Sequence, residues 1–247
     1  MIFDNVVERI IKSNKIVFFT GAGVSTESGI PDFRSDNGLY AEKYNGYSPE
    51  TILSHSFFFS NPQVFYKFYF DNVVHADTKP NDFHYGISKI QNMKYDVTVV
   101  TQNIDDLHNI AHNKNVLELH GNINSNHCIK CGKYYSLNNM LDQKDKIVRC
   151  NICNSLVKPD VILYEEQLNE DIITKSIYSI SDADVIIVAG TSLSVYPAAS
   201  FIDYYNKDCL IIINKAKTLH DTKADFVFND SCSKVLNTII EKLELFR

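Results

Sequence analysis

The sequence predicts an α/β protein built on a doubly wound, Rossmann-like parallel sheet, accompanied by a smaller domain. Two observations predict this class. Six short β-rich runs recur along the chain with helical segments between them, and a region with four paired cysteines interrupts the alternation. Near-continuous apolar runs are typical of strands buried on both faces of a parallel sheet. Strand and helix in alternation build a doubly wound domain.

The predicted strands are each followed by a polar turn, and they are Lys15 to Thr20, Val97 to Thr101, Val161 to Tyr164, Val185 to Ala189, Leu210 to Asn214 and Phe226 to Phe228. Helical signatures cover three stretches, Asn81 to Met93, Glu170 to Ser181 and Lys234 to Leu245. The larger domain is therefore expected to comprise residues 1–35, 76–121 and 156–247.

Two regions break the alternation. Residues 36–75 are rich in aromatic side chains at helical spacing, which favours a helical insertion whose aromatics form a core. Residues 122–155 hold the cysteine pairs and little apolar material. A bound metal is expected to replace the missing core there. Together these regions form the predicted smaller domain, a zinc ribbon plus helices.

Composition and charge exclude several classes of function. The chain has 247 residues, of which 45% are hydrophobic, and 30 Asp and Glu stand against 24 Lys and Arg. A mildly acidic protein has no positive field to attract nucleic acid or anionic lipid. No apolar run is long enough to span a bilayer, and the N-terminus lacks a signal-peptide pattern. We therefore expect a cytoplasmic protein without a membrane or nucleic-acid partner.

The cysteines predict a structural zinc site. Cys128 and Cys131 form one C-x-x-C pair and Cys150 and Cys153 a second, with eighteen residues between the pairs. Four thiolates fill a zinc tetrahedron and leave no position for a catalytic water. A nucleic-acid-binding ribbon is the alternative, but acidic residues intervene among its few basic ones. The other two cysteines, Cys209 and Cys232, are interpreted as buried fillers.

A glycine-containing loop follows the first predicted strand, with Gly21 and Gly23 separated by Ala22. Such a loop lets a backbone approach a pyrophosphate closely. The third glycine of the dinucleotide fingerprint is absent, since Thr26 stands at its place, and the usual acidic residue is missing. A plain turn remains the alternative for this loop alone.

Polar residues also follow other strands. Gln102, Asn103 and Asp105 come directly after the second predicted strand, His120 closes a short apolar segment, and Gly190 to Ser192 follow a later strand. The carboxyl ends of parallel strands share one edge of the sheet, where doubly wound proteins bind ligands. We expect these residues to converge on one crevice.

Five strings, in this order, resemble the sirtuin family: Gly21-Ala22-Gly23-Val24-Ser25, Gly29-Ile30-Pro31-Asp32-Phe33-Arg34, Thr101-Gln102-Asn103-Ile104-Asp105, His120-Gly121 and Gly190-Thr191-Ser192. The cysteine module lies between the fourth and the fifth, and the resemblance covers nearly the whole chain. It implies an NAD-dependent protein lysine deacylase acting on acyl-lysine proteins. In that reaction the acyl oxygen attacks the ribose carbon as nicotinamide leaves, and a general base then activates a ribose hydroxyl that collects the acyl group. The products are nicotinamide, O-acyl-ADP-ribose and free lysine.

The resemblance also implies site residues. His120 is the expected general base, a role that suits a group with a pKa near 6.5, and Asn103 and Asp105 are the other expected catalytic residues. A structural role is the alternative for a single histidine. The expected NAD-binding residues are Gly21, Ala22, Gly23, Thr26, Asp32, Phe33, Arg34, Gln102, Asn103, Ile104, Asp105, His120, Gly190, Thr191, Ser192, Asn214 and Ser231.

Two departures from the family pattern bear on specificity. Members that remove acidic acyl groups carry a Tyr-x-x-Arg pair, whereas the corresponding stretch here is Tyr69-Phe70-Asp71-Asn72, which favours neutral acyl groups. Glu165 stands where relatives usually have glycine, and its side chain either faces the peptide and favours basic substrates or faces solvent.

Three further functions stay open. One is a mono-ADP-ribosyltransferase that uses the same NAD site, and another is a non-catalytic NAD-sensing module. A hydride-transferring dehydrogenase is the weakest of the three.

Overall fold

The computed structural model describes residues 2–33 and 38–246. Its main sheet has six parallel strands in the order β3-β2-β1-β7-β8-β9. The strands are β1 (Lys15–Thr20), β2 (Asp96–Thr101), β3 (Val116–Glu118), β7 (Val185–Ala189), β8 (Leu210–Ile213) and β9 (Phe226–Phe228). The predicted doubly wound sheet is confirmed, and its order reverses between β1 and β7.

Helices cover both faces of this sheet, which is why its central strands are mostly apolar. One face packs against α1 (Ile2–Ile11), α5 (Asp82–Asn92) and α9 (Cys232–Leu245). The opposite face packs against α8 (Glu170–Asp182) and a 3-10 segment, Ala198–Tyr204. In β7 all five residues are buried. Removing such side chains from water is the main stabilising contribution to the domain.

Local signals set the ends of these helices. The Asn81 side chain accepts a hydrogen bond from the Phe83 backbone at 2.9 Å and so caps α5. The Ser231 hydroxyl does the same for α9, accepting from Lys234 N at 3.2 Å. Where α5 crosses α9, a Cβ on Gly86 would lie 2.8 Å from a methyl carbon of Leu236. The absence of a side chain there lets the two helices approach closely.

A second core joins the aromatic segment to the cysteine module. The first contributes α2 (Pro49–Ile52), α3 (His55–Ser60), α4 (Pro62–Phe68) and a π-helical turn, Tyr69–Val73. The second contributes an antiparallel sheet of β4 (Ser125–Cys128), β5 (Tyr134–Ser136) and β6 (Val157–Pro159), with α7 (Leu137–Leu141). Fully buried Phe58, Phe65 and Tyr66 lie in this core. The predicted domain boundaries stay a prediction. A smaller domain made of these two regions requires a core that both of them share, and the second core is of that kind.

Two local predictions need correction. Val161 to Tyr164 is not a strand, because its apolar side chains pack into the second core from an extended loop, and only Tyr164 makes a bridge, to Ser54. Conversely, the edge strand β3 and a short helix, α6 (Leu107–Ile110), form where no strand or helix was predicted. An apolar run alone does not say whether a ladder partner is available.

Among residues 2–33 and 38–246, no helix combines the length and the apolar character needed to cross a bilayer.

Candidate active site and metal site

Two loops meet at the point where the strand order reverses. Gly23 N donates to the carbonyl oxygen of Gly190 at 2.8 Å, and Gly21 N donates to Ala189 O at 3.1 Å. A Cβ on Gly23 would lie 2.7 Å from the Gly190 Cα, and one on Gly21 would lie 2.7 Å from the Thr191 Cβ. The glycines expected to approach a pyrophosphate are therefore also required by the contact between the two loops, which forms the base of the crevice.

The loop after β2 carries a chain of hydrogen bonds that reaches the loop after β1. Asn103 Nδ2 donates to Ser25 Oγ at 3.1 Å, and Ser25 Oγ donates to Asp105 Oδ2 at 2.6 Å. Asp105 Oδ1 accepts from Leu107 N at 2.9 Å. Asn103 and Asp105 are thus held in fixed orientations by Ser25, a residue that the sequence prediction did not include among the site residues.

Gln102 connects the remaining loops. Its Nε2 donates to Thr191 Oγ1 at 3.2 Å, while its carbonyl oxygen accepts from His120 Nδ1 at 2.8 Å. Because a carbonyl can only accept, His120 carries its proton on Nδ1 and keeps a lone pair on Nε2. Burial lowers the pKa of His120, although the bond to Gln102 opposes this. The imidazole is therefore neutral at pH 7 and can accept a proton.

The turn after His120 is constrained by close packing. Gly121 has φ +76°, and a Cβ there would lie 1.9 Å from the Asp160 carbonyl oxygen. The carbonyl oxygen of His120 accepts from Ile162 N at 2.8 Å. Only glycine fits this position, which explains the His-Gly string physically.

A partly open cavity lies beside these groups. Its walls include five of the predicted residues, Ala22, Phe33, Asn103, Ile104 and Asp105. Mostly apolar walls with a few convergent polar groups are typical of a small-molecule site. The cavity adjoins the crevice where the strand order reverses, and its role in binding nicotinamide stays a prediction.

The cavity is also lined by Asn72, Val73 and His75. The sequence analysis considered Asn72 only for acyl specificity and did not include Val73 or His75 among the site residues. His75 Nε2 is buried and has no hydrogen-bond partner among the described residues. A buried polar atom without a partner is costly, and a ligand that hydrogen-bonds to it removes that cost. The sequence offered no signal, because only the fold brings residue 75 to residue 105.

The other predicted NAD-binding residues lie around this centre. Thr26 Oγ1 donates to Gly23 O at 2.9 Å, and Asp32 O accepts from Leu39 N at 2.8 Å. At the far end, Asn214 follows β8, and the Ser231 hydroxyl donates to Glu27. Ser192 bonds to Ser194 at 2.6 Å. Arg34, also predicted to bind NAD, lies outside the described residues.

Two buried histidines support the sheet edge from below. Thr20 Oγ1, at the end of β1, bonds to His108 Nε2 at 3.0 Å, and His108 Nδ1 donates to Asn113 Oδ1 at 2.8 Å. The His84 ring lies 4.8 Å from that of His108. Burial lowers the pKa of His84 to about 2 and also lowers that of His108. Both rings are neutral, and they pack next to the carboxyl end of β1.

The four predicted metal ligands come together. The sulfur atoms of Cys128, Cys131, Cys150 and Cys153 lie within 4.8 Å of one another. Cys128 Sγ is 3.4 Å from Cys153 Sγ, and Cys131 Sγ is 3.6 Å from Cys150 Sγ. A tetrahedral zinc with Zn–S bonds of 2.3 Å needs S···S separations of about 3.8 Å, whereas a disulfide needs about 2 Å. The arrangement fits a closed zinc site.

Cys209 and Cys232 take no part in it. Both are buried, and burial raises the pKa of each thiol to about 12. Inert buried thiols are what the sequence predicted.

Comparison with known proteins agrees with this geometry. The sequence model of the Sir2 family matches residues 21–197. A protein of Clostridium tetani named NAD-dependent protein deacetylase is 48% identical over 240 residues, covering 97% of each chain. A Clostridium acetobutylicum protein of the same name is 50% identical over 238 residues, covering 96% of this chain and 97% of the relative.

Solved structures extend the likeness to three dimensions. A structure described under "Structural Basis for the Mechanism and Regulation of Sir2 Enzymes" superposes with a TM-score of 0.89 at 35% identity, covering 100% of this chain and 99% of the other. One described as "Sir2-p53 peptide-NAD+" gives a TM-score of 0.87 at 33% identity, covering 99% and 100%. The family match spans most of the sequence, and the relatives align along nearly all of it. The protein therefore belongs to the Sir2 family.

Proposed function

We propose that this protein removes acyl groups from lysine side chains of proteins, with NAD as co-substrate and nicotinamide, O-acyl-ADP-ribose and free lysine as products. The observation that carries this is the fixed tautomer of His120, whose Nδ1 donates to Gln102 O at 2.8 Å within a Sir2-family site. The names of the Clostridium relatives support the same activity.

His120 is the proposed general base. Its lone pair on Nε2 is available at neutral pH because burial lowers its pKa. Asn103 and Asp105 are the proposed residues that orient the reacting groups, since Ser25 fixes both of them. A base and its orienting groups held by second hydrogen bonds are what general-base catalysis requires.

The predicted cofactor residues fit the co-substrate. NAD, when bound, would supply the ribose carbon that the acyl oxygen attacks, the nicotinamide that leaves and the ribose hydroxyl that finally carries the acyl group. Phe33, Ile104 and Asp105 provide an apolar and hydrogen-bonding pocket for the aromatic carboxamide. Gly21 to Gly23, Gln102 and Thr191 are proposed to hold the phosphates and ribose at the sheet edge, with Asn214 and Ser231 nearer the adenine. Arg34 is retained as a proposed contact.

The zinc is proposed to be structural. Four cysteines complete the tetrahedron, so no ligand position remains for chemistry. The β4-β5-β6 sheet buries its apolar side chains in the core that it shares with the aromatic segment, and a metal at the cysteines would contribute further folding energy. Free thiols at metal-binding spacing are typical of the reducing cytoplasm, where we place the protein. We propose no nucleic-acid partner for it.

Neutral acyl groups are the proposed substrates. Tyr69 is fully buried in the second core, and Asp71 accepts from Lys67 at 2.9 Å, so neither reaches the cavity. Asn72 does line it. Among the described residues that line the cavity there is no lysine or arginine to hold a succinyl carboxylate.

Mass spectrometry of an acetyl-lysine peptide incubated with protein and NAD tests the proposal. A peptide lighter by one acetyl group, together with O-acetyl-ADP-ribose, is expected only when NAD is present. A peptide heavier by an ADP-ribose unit identifies a transferase instead. An unchanged peptide with NAD still protecting the protein against heat identifies an NAD-sensing module. A rise in the reduced-nicotinamide absorbance identifies a dehydrogenase.

A further inference from the structure

Two carboxylates near His120 are joined by two amide groups. Asn122 Nδ2 donates to Asp106 Oδ1 at 2.8 Å and to Glu118 Oε1 at 2.6 Å. Asn109 Nδ2 donates to the same two oxygens, at 2.7 Å and 3.0 Å. Each amide nitrogen has two hydrogens, and each oxygen accepts two of them. The four groups form a closed hydrogen-bonded ring, here called the amide–carboxylate ring.

The ring joins two segments of the chain, residues 106–109 and 118–122, around the proposed base. Glu118 ends β3 two residues before His120, and Asn122 follows two residues after it. Asp106 directly follows Asp105, and Asn109 lies on α6. The ring therefore holds both sides of the His120 turn against the loop that carries Asp105.

The backbone of Asp106 is in an unfavourable conformation, which places its carboxylate in the ring. Its φ is +65°, a region that L-residues rarely occupy. Its second oxygen, Oδ2, accepts from Asn124 Nδ2 at 2.6 Å. Three side-chain amides donate to this carboxylate. Together they hold it in one position, and this offsets the strain of the backbone.

We propose that Glu118 and Asn122 are positioning residues, which hold the His120 turn against the Asp105 loop through the amide–carboxylate ring. This inference rests on the proposed deacylase function. His120 must present Nε2 within hydrogen-bond reach of its proton donor, and small displacements of a catalytic group are costly. The ring restrains the backbone on both sides of that residue.

The ring also contains a group that titrates near neutrality. Burial raises the pKa of Glu118 to about 7; the bonds from Asn122 and Asn109 lower it, and the charges of Asp106 and Asp105 raise it further. Asp105 and Asp106 are the charged side chains that act on Glu118, and no cation pairs with it among the described residues. Above pH 7 two negative charges face each other across the ring, so its hold on the turn is expected to weaken.

Two substitutions separate positioning from bulk stability. Asn122→Asp replaces a double donor by an acceptor of similar shape, and we expect kcat to fall by roughly 10- to 100-fold while KM for NAD stays within about twofold. Glu118→Gln keeps an acceptor oxygen for both amides but removes the charge. We expect it to keep the parent kcat at pH 6 and to lose the decline in kcat above pH 7. Asn5→Asp, on the exposed surface of α1, makes the same change elsewhere and should behave as the parent.

A second variant and a second readout keep the test independent of folding and of activity. The double variant Asn122→Asp with Glu118→Gln restores a donor facing an acceptor, so part of the lost kcat should return; additive losses would overturn the proposal. The His120 ring resonances, followed by NMR against pH, should shift in Glu118→Gln. Thermal melting and zinc content report any general damage.

The outcomes distinguish two failures. If the parent and Asn5→Asp both leave an acetyl peptide intact, the proposed function fails, and the NMR titration alone decides whether the ring controls His120. If the parent deacylates but kcat, its pH profile and the His120 resonances are the same in every ring variant, the positioning role is wrong.

Discussion

Glu165 holds the start of helix α3 through Ser56. Its Oε2 accepts from Ser56 N at 2.8 Å and its Oε1 accepts from Ser56 Oγ at 3.0 Å. The first N–H groups of a helix have no partner within it, so this carboxylate satisfies one of them. The residue has φ +74°, in the left-handed region that glycine adopts most readily. Its side chain therefore stabilises α3, a role that neither sequence interpretation included.

Glu165→Ala is expected to lower the free energy of unfolding by about 1–2 kcal/mol, the scale of a lost helix cap. Glu165→Gly loses the same bonds but relieves the left-handed backbone, so about 1 kcal/mol should return. Urea unfolding measures both. Equal stability of the Ala and Gly variants would mean that the backbone strain is absent. The ranking of peptides by flanking charge should not change in Glu165→Gln, because Ser56 already holds both oxygens.

His120→Ala is expected to reduce deacylation by at least about a hundredfold while NAD binding is retained, since general-base catalysis contributes on that scale. Steady-state kinetics and NAD titration by calorimetry measure the two quantities. Retained turnover at neutral pH would assign the base to another group.

The pH profile of the parent provides a second check on His120. Burial lowers its pKa below the ordinary value near 6.5, so the neutral form persists into mildly acidic solution. The rate should therefore fall only as the pH drops below about 6.5. If the rate instead declined toward acidic pH with a midpoint above pH 7, this assignment would be wrong.

Removal of a zinc ligand is expected to destabilise the protein rather than lower turnover selectively. Cys150→Ala leaves three sulfurs around the metal, and a closed site contributes folding energy. We expect about one zinc per chain in the parent and a clear drop in melting temperature in the variant. Cys209→Ala, a buried cysteine outside the site, is the control for cavity formation. A metal-free variant as heat-stable as the parent would refute the structural role.

Acetyl peptides are expected to react more efficiently than succinyl peptides. The cavity lining has no lysine or arginine among the described residues, and a buried carboxylate without a partner is unfavourable. Asn72→Arg should raise kcat/KM for succinyl peptides, because it adds a guanidinium to that wall. Asp71→Arg, outside the lining, is the matched control. Equal efficiency of the two acyl groups in the parent would refute the preference.

His75→Leu is expected to weaken inhibition by free nicotinamide about five- to tenfold, the value of one hydrogen bond. The reason is that His75 Nε2 is buried in the cavity wall without a partner. His75→Gln keeps a polar group and should retain part of the affinity. If His75→Leu binds nicotinamide as tightly as the parent, the imidazole does not contact it.

The sheet was predictable because β1, β7 and β8 are apolar on both faces. Each of these strands therefore appears in the sequence as a run of consecutive apolar residues. The zinc ligands were predictable because their spacing is local. Val161 to Tyr164 was misjudged because its burial comes from the second core and not from a ladder. Ser25, His75 and Glu118 were missed for a related reason, since their roles depend on contacts with residues distant in sequence.

The hydrogen bond from Gly23 to Gly190 has a consequence for the order in which the protein forms. The two glycines follow strands that are separated by most of the chain, and the contact exists only after β1 and β7 lie side by side. During synthesis the second loop emerges on the order of ten seconds after the first. Contacts of such long range form slowly. A nascent chain that already has β1 and β2 in place therefore still lacks the base of the crevice, which is completed only when β7 pairs with β1.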